Sequence, residues 1–184
     1  MRKSQANYKI IFAGPVGAGK TTAVASLSDI APVRTDRVAT DMASERKPET
    51  TVAMDYGLMN LADGVSIHLY GTPGQERFDF MWDILVEGGI GLVLLIDNTR
   101  PDPFQDLRFF LNAFKSFISR TGVVIGVTRT DIRSSPTLDD YYRELEQMKI
   151  PLPPTFEVDA RERKDVSLLV EALLCSLDPT MAET

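Results

Sequence analysis

The stretch Gly14-Pro15-Val16-Gly17-Ala18-Gly19-Lys20-Thr21 constrains this chain more than any other, because it repeats the pattern of glycine, four residues, then Gly-Lys-Ser/Thr. Glycines let consecutive backbone N–H groups turn toward an anion, and the N-terminus of a following helix adds positive partial charge. The pattern sits between a short apolar run, Tyr8 to Ala13, and a helical stretch, Thr21 to Asp29, which is the context it needs. Gly14, Val16, Gly17, Ala18, Gly19, Lys20, Thr21 and Thr22 are therefore expected to cradle a phosphate chain. In that arrangement Lys20 reaches the β- and γ-phosphates, and the Thr21 hydroxyl is a ligand for Mg²⁺.

Downstream of this loop, apolar runs and helical periodicities alternate as they do in a mostly parallel sheet covered by helices. Ala31 to Glu49 shows no periodicity and is expected to be a long loop. Val52 to Leu61 and Val65 to Tyr70 flank Ala62-Asp63-Gly64, a hairpin turn signal. Phe78 to Val86 is predicted helical, and Gly91 to Ile96 is a fully buried strand by its unbroken apolar run. Between Pro103 and Ser119, Phe104, Leu107, Phe110, Leu111, Phe114 and Phe117 recur at helical spacing, as core packing. Val123 to Val127 is another buried strand, Thr137 to Met148 a helix, Phe156 to Val158 a short strand and Val166 to Leu177 a closing helix. The expected fold is α/β, a doubly wound P-loop domain over residues 1–184, with a six-stranded mostly parallel sheet, one antiparallel strand and about five helices.

Composition narrows the function. With 184 residues, 43% of them hydrophobic, the chain has the length for one core. A net charge of −6 with scattered Lys and Arg argues against a nucleic-acid footprint. A lone cysteine, Cys175, excludes an internal disulfide and reads as packing among leucines. The polar start Met1 to Asn7, the lack of long apolar runs and the ending Met181-Ala182-Glu183-Thr184 lead us to expect a cytoplasmic protein without membrane anchor.

Further motifs carry a resemblance. Gly71-Thr72-Pro73-Gly74-Gln75-Glu76-Arg77-Phe78 resembles the second switch of Ras-like small GTPases. Thr128-Arg129-Thr130-Asp131, closing a buried strand, is similar to their guanine-recognition motif, and Asp159-Ala160-Arg161 to the later Ser-Ala-Lys motif. Thr51-Val52-Ala53-Met54-Asp55-Tyr56 resembles the first switch running into a strand. Order and spacing hold from about Tyr8 to Leu174, in the manner of the bacterial branch typified by the gliding-motility GTPase MglA and the conservon CvnD-like GTPases.

The resemblance implies GTP or GDP with Mg²⁺ as ligands. It makes Thr51 a metal and γ-phosphate contact, Gly74 an N–H donor to the γ-phosphate, and Gln75 the residue that orients water; Lys20, Thr51 and Gln75 are the catalytic set. Thr128, Arg129, Asp131, Asp159, Ala160 and Arg161 would surround the base, with Asp131 accepting from guanine and the Arg129 stem covering one face. It also implies a chain that is monomeric alone and meets a protein partner at the switches, typically a roadblock/LC7-type homodimer acting as GTPase activator or regulator.

Departures from the pattern point to slow hydrolysis. Gly71 stands where the family has a carboxylate for Mg²⁺, so Asp36, Asp41, Asp55 or Asp97 would have to replace it. Val16 is β-branched where fast members often have glycine, and Arg129 and Asp159 replace lysine and serine. Two other readings stay open: a nucleotide-sensing scaffold that scarcely hydrolyses, and a compact ATPase using Asp97 after Val93-Leu94-Leu95-Ile96 as its metal ligand. In the latter case Asp97 competes with a plain role capping the Asn98-Thr99 turn. Phe78, Phe80, Met81 and Trp82 are either core or a partner surface. Arg34, Arg37 and Arg46 are candidate arginine fingers, and His68 is expected on a solvent face with nothing nearby to pair with it.

Overall fold

The computed structural model describes residues 7–39, 50–61, 64–74 and 79–177, with side chains placed for all of these except 34–39, 50–53, 79 and 80. One sheet organises them, in the strand order β2-β3-β4-β1-β5-β6-β7. Its strands are β1 (Asn7–Ala13), β2 (Val33–Ala39), β3 (Thr50–Asn60), β4 (Ser66–Gly71), β5 (Gly91–Asp97), β6 (Val123–Thr128) and β7 (Thr155–Val158). The helices are α1 (Lys20–Leu27), α2 (Asp79–Val86), α3 (Pro103–Ala113), α4 (Lys115–Ile118), α5 (Leu138–Gln147) and α6 (Arg163–Leu177).

Strands β4, β1, β5, β6 and β7 pair in parallel, and β3 runs antiparallel to its neighbours. Burial on both faces explains why β5 is apolar throughout, with every residue from Gly91 to Asp97 buried. On one face α1 and α6 pack Ala23, Val24, Leu27, Val166, Leu169 and Leu173 against Ile10, Phe12 and Val93. On the other, α2 to α5 bring Trp82, Leu107, Phe110, Phe117 and Tyr141 against Ile11, Leu94 and Ile125. The α/β doubly wound architecture is the expected one.

Three local expectations are corrected. Part of the stretch Ala31 to Glu49, expected as loop, is strand β2, which pairs with β3 from Val33↔Tyr56 to Ala39↔Thr50. Its residues carry no alternation because an edge strand takes its form from its partner's backbone rather than from a buried face; residues 40–49 lie outside the described ones. The predicted helix Pro103 to Ser119 breaks at Phe114 (φ −94°, ψ 10°), giving α3 and the short α4. His68 does have a partner: its Nδ1 lies 2.8 Å from the Tyr56 hydroxyl across the β3–β4 pair. Those two residues sit diagonally on the same sheet face, a neighbour relation that spacing along the chain conceals.

The hairpin forms where predicted, closed by Leu61 N–H donating to Val65 O at 2.8 Å, with Gly64 at φ 78° and Asp63 outside the described residues. The parallel register brings the ends of the strands together, with Phe12 opposite Gly71, Asp97 opposite Thr128 and Thr128 opposite Val158. The loops that follow these ends share one edge of the sheet, where open α/β sheets bind their ligands.

Candidate functional site

The phosphate loop leaves β1 at Gly14, whose φ is 141° and whose absent Cβ would lie 2.1 Å from Leu95 O. Only glycine permits that approach of the loop to β5. The loop ends at Gly19, in the left-handed region at φ 98°, where α1 begins. Lys20, 7% exposed, lies inside the loop and donates from Nζ to Gly14 O (2.8 Å) and Pro15 O (2.7 Å). Burial lowers the Lys20 pKa to about 8, partly offset by the negative charge of Asp55. Val16 points outward, 57% exposed, so its side chain presents an apolar rim rather than filling the loop.

Asp55 answers the question raised by Gly71. The β3–β4 register sets Asp55 opposite Gly71, and a Cβ on Gly71 would come within 3.1 Å of the Asp55 Oδ2. The Thr21 hydroxyl donates to Asp55 Oδ2 at 2.5 Å. A carboxylate thus reaches the Thr21 hydroxyl from the neighbouring strand, across the space a side chain at position 71 would have used. Of the other candidates, Asp41 lies outside the described residues and the Asp36 side chain is among those not placed.

The donor chemistry at this corner suits Mg²⁺. Thr21 and Asp55 offer hard oxygens, and among the described residues no group of three or more acidic, His or Cys side chains forms a metal cage. Mg²⁺ is ordinarily held by one or two protein oxygens together with phosphates and water, so the two fit. Gly74 closes the same corner: a Cβ there would be 2.7 Å from Lys20 Nζ and 2.7 Å from Val16 N. Thr72 ties this segment down by donating its N–H to Phe12 O at 2.9 Å. Gln75 lies outside the described residues, as do Phe78 and Arg46, and the side chains of Thr51, Phe80, Arg34 and Arg37 are among those not placed.

The residues expected to hold the base come together. A cavity of about 230 Å³ is lined by Thr128, Arg129 and Asp131 from the loop after β6, and by Asp159, Ala160 and Arg161 after β7. Ala18, Gly19 and Thr22 form its floor, so it opens directly onto the phosphate loop. Ile132, 71% exposed, also lines it and was not expected; its place directly after Asp131 is the sequence signal that could have marked it. Arg161 grips Asp159 through its backbone N–H (2.9 Å) and guanidinium, and this pairing lowers the Asp159 pKa to about 2. Thr128 is buried, and its hydroxyl lies 3.1 Å from Ala18 O and 3.2 Å from Ile96 O, between the phosphate loop and the end of β5.

Of the two roles open to Asp97, the structure shows the plain one, capping the turn through Thr99. Its Oδ2 accepts from Arg129 Nη1 at 2.7 Å, and its Oδ1 from the N–H (2.9 Å) and hydroxyl (2.6 Å) of Thr99. It caps the turn after β5 and anchors Arg129. Trp82 is core: 3% exposed, it stacks on Phe114 with ring centroids 5.0 Å apart. Among the described side chains of α2, Ile84 is an apolar residue presented to solvent, 68% exposed.

Among the described residues no helix is long and apolar enough to cross a membrane. Comparisons with known proteins agree with the geometry. The chain is 22% identical to the Ras-related protein RabC of Dictyostelium discoideum over 182 residues, covering 95% of this chain and 85% of that protein. It is 27% identical to the Ras-related protein Rab-27B of Rattus norvegicus, over 90% of this chain and 77% of the relative. An uncharacterized protein of Methanocaldococcus jannaschii is 33% identical over 100 residues, 54% of this chain, and the match spans 56% of that relative's length. These likenesses, with the loop geometry, support nucleotide binding. From residue 12 to residue 183 the sequence matches the family described as conserved hypothetical ATP binding protein, and the chain belongs to that family.

Proposed function

We propose that the chain is a GTP-binding switch that hydrolyses GTP to GDP slowly and meets protein partners through the segments around Thr51 and Gly74, in a bacterial signalling or polarity system. The observation that carries this reading is the cavity that joins Asp131, Ala160 and Arg129 to the phosphate loop at Ala18 and Gly19. A carboxylate at Asp131 accepts from both the N1–H and the exocyclic amine of guanine, whereas adenine offers an acceptor at N1. In this reading the Ala160 N–H would meet the guanine O6, and the Arg129 stem would cover one face of the ring.

At the other end, the phosphate-loop N–H groups and Lys20 hold the β- and γ-phosphates. Thr21, with Asp55 in place of the carboxylate absent at Gly71, would hold Mg²⁺, which would supply positive charge against that on the phosphates. The Gly74 N–H meets the γ-phosphate, Thr51 closes over it in the triphosphate state, and Gln75 orients the attacking water. A roadblock/LC7-type homodimer is the partner class we propose for the switch face, where Ile84 is exposed.

Competition of GTP, GDP, ATP and XTP for a fluorescent guanine nucleotide, on wild type and Asp131→Asn, tests the base assignment. Guanine nucleotides alone should displace the probe from wild type, and the variant should shift toward xanthine. Equal competition by ATP, unchanged in the variant, would refute it. Partner-free single-turnover hydrolysis faster than about 1 s⁻¹, against about 10⁻⁴ s⁻¹ for unassisted Ras, would refute the slow-switch part.

A second reading, ATP binding, is favoured by the description of the family to which the chain belongs. The same competition decides it. The pairing of Asp97 with Arg129 and Thr99 speaks against an ATPase that uses Asp97 as its metal ligand.

A further inference from the structure

Directly after Asp97 comes Asn98, with no exposed surface, at the end of β5. A buried primary amide has to find partners for two donors and an acceptor. Its Nδ2 donates to Arg133 O at 2.6 Å and to Pro136 O at 3.1 Å, and its Oδ1 accepts from the Tyr141 hydroxyl at 2.9 Å. The amide orientation follows from chemistry, since two carbonyls can only accept and must face the nitrogen. Its own N–H donates to Thr128 O at 3.0 Å, which fixes it to the start of the base-recognition loop.

That loop is a tight turn with Asp131 at its tip. Arg129 sits in the left-handed region at φ 62°, and the N–H groups of Ile132 and Arg133 both return to Arg129 O at 3.1 Å. A non-glycine residue in that region persists only where the surroundings hold it. Asp97 holds the entry through Arg129, while Asn98 holds the exit through Arg133 and Pro136. The exposed carboxylate of Asp131 lies between the two anchors.

We infer that Asn98 is a positioning residue for base specificity: it acts through the Arg133 and Pro136 carbonyls to hold the Asp131 carboxylate at the height and angle that reads the exocyclic amine of guanine. This rests on Asp131 being the base-recognising group. Tyr141 serves the same end by fixing the Asn98 amide, and burial raises the pKa of its phenol, which keeps it a donor.

The test is the affinity ratio of GDP to IDP, which lacks that amine, measured on the full chain by displacement of a fluorescent guanine nucleotide. Wild type should prefer GDP. Asn98→Ala should cut the preference about tenfold, the weight of one well-made hydrogen bond to a charged group. In Asp131→Ala the same Asn98→Ala change should have no further effect on the ratio, because the two act on one contact. A merely structural role would weaken GDP and IDP in parallel and leave the ratio as in wild type, which overturns the inference. If Asn98→Ala does not fold, Tyr141→Phe reads the same ratio with the ring retained: a drop supports the inference and an unchanged ratio overturns it. A wild type that binds GDP and IDP equally is a different failure, since it removes the guanine reading and this inference with it.

Discussion

At the end of the site proposed to hold the base, Arg129 and the turn carrying Asp131 are placed by what side chains reach, Asp97 holding one and Asn98 the other. At the phosphate end, the same closeness is obtained by what is missing: Gly14 lies on the Leu95 carbonyl, Gly74 on Lys20 and Val16, and Gly71 leaves room for Asp55. The two ends therefore fail differently. A specificity built from side-chain bonds loosens by degrees when one is removed, whereas a contact that tolerates no Cβ is lost by adding one carbon.

Gly74→Ala makes the sharpest break in this comparison. Its methyl would meet Val16 N at 2.7 Å and the Pro15 carbonyl carbon at 2.9 Å, backbone atoms that cannot swing aside. Turnover of GTP should fall about 10²–10³-fold, as when one transition-state donor is withdrawn, with GDP affinity little changed. Parallel losses of GDP and GTP binding would show that the methyl disturbs the whole loop.

Asp55→Asn comes next. It keeps the shape beside Gly71 and Thr21 but removes the charge, so the Mg²⁺ concentration that supports hydrolysis should rise about 10–100-fold, within the range that neighbouring groups exert on metal sites. An unchanged Mg²⁺ dependence would return the metal corner to another residue.

The third prediction concerns pH. With its pKa lowered from the ordinary 10.5 to about 8, Lys20 loses its proton in the free protein above pH 8, while bound phosphate keeps it charged. Nucleotide affinity should then fall as pH rises past 8, by up to about tenfold per pH unit, with proton uptake on binding visible by calorimetry in different buffers. Folding stability carries the opposite slope. The unfolded chain keeps this proton up to 10.5, so the cost of the buried charge is fully present below pH 8 and is relieved between 8 and 10.5. Lys20→Arg, which stays charged, should flatten the binding profile.

The smallest effect belongs to Asp102, whose carboxylate accepts from the N–H groups of Phe104 and Gln105 at the start of α3. Asp102→Ala should lower stability by about 1 kcal/mol. In thermal melts that is about 2–4 °C for a chain of this size. Base preference should not move, because this cap acts on a helix beyond the Asp97–Asn98 anchors.

How much of this was legible in the sequence depended on whether the controlling contact is local. The phosphate loop declares itself because its glycines and Lys20 answer to one another within a single turn. The residues expected to hold a base stood out as motifs after two apolar strands, and the structure gathers them around one cavity. Asp55 stood among four candidates, and the choice lay in strand register: counting back from the hairpin turn through Asn60 and Ser66 brings Asp55 opposite Gly71. Strand β2 was missed because its pairing, not its composition, makes it a strand. Asn98 was read only as part of a turn, since its partners Arg133, Pro136 and Tyr141 lie far along the chain and become neighbours only when β5 and β6 pair.

The Thr128 hydroxyl has one proton and two carbonyls within reach, Ala18 O in the phosphate loop and Ile96 O at the end of β5. It joins the two ends of the site into one frame. A nucleotide is in effect a bivalent ligand, with an aromatic head and an anionic tail, and its avidity depends on how nearly the spacing of the two receptors matches its own length. A stiff joint holds that spacing constant, so once the tail is seated the head meets its receptor at high effective concentration. Slackening Thr128 would dilute that second encounter while leaving each receptor, taken alone, as strong as before.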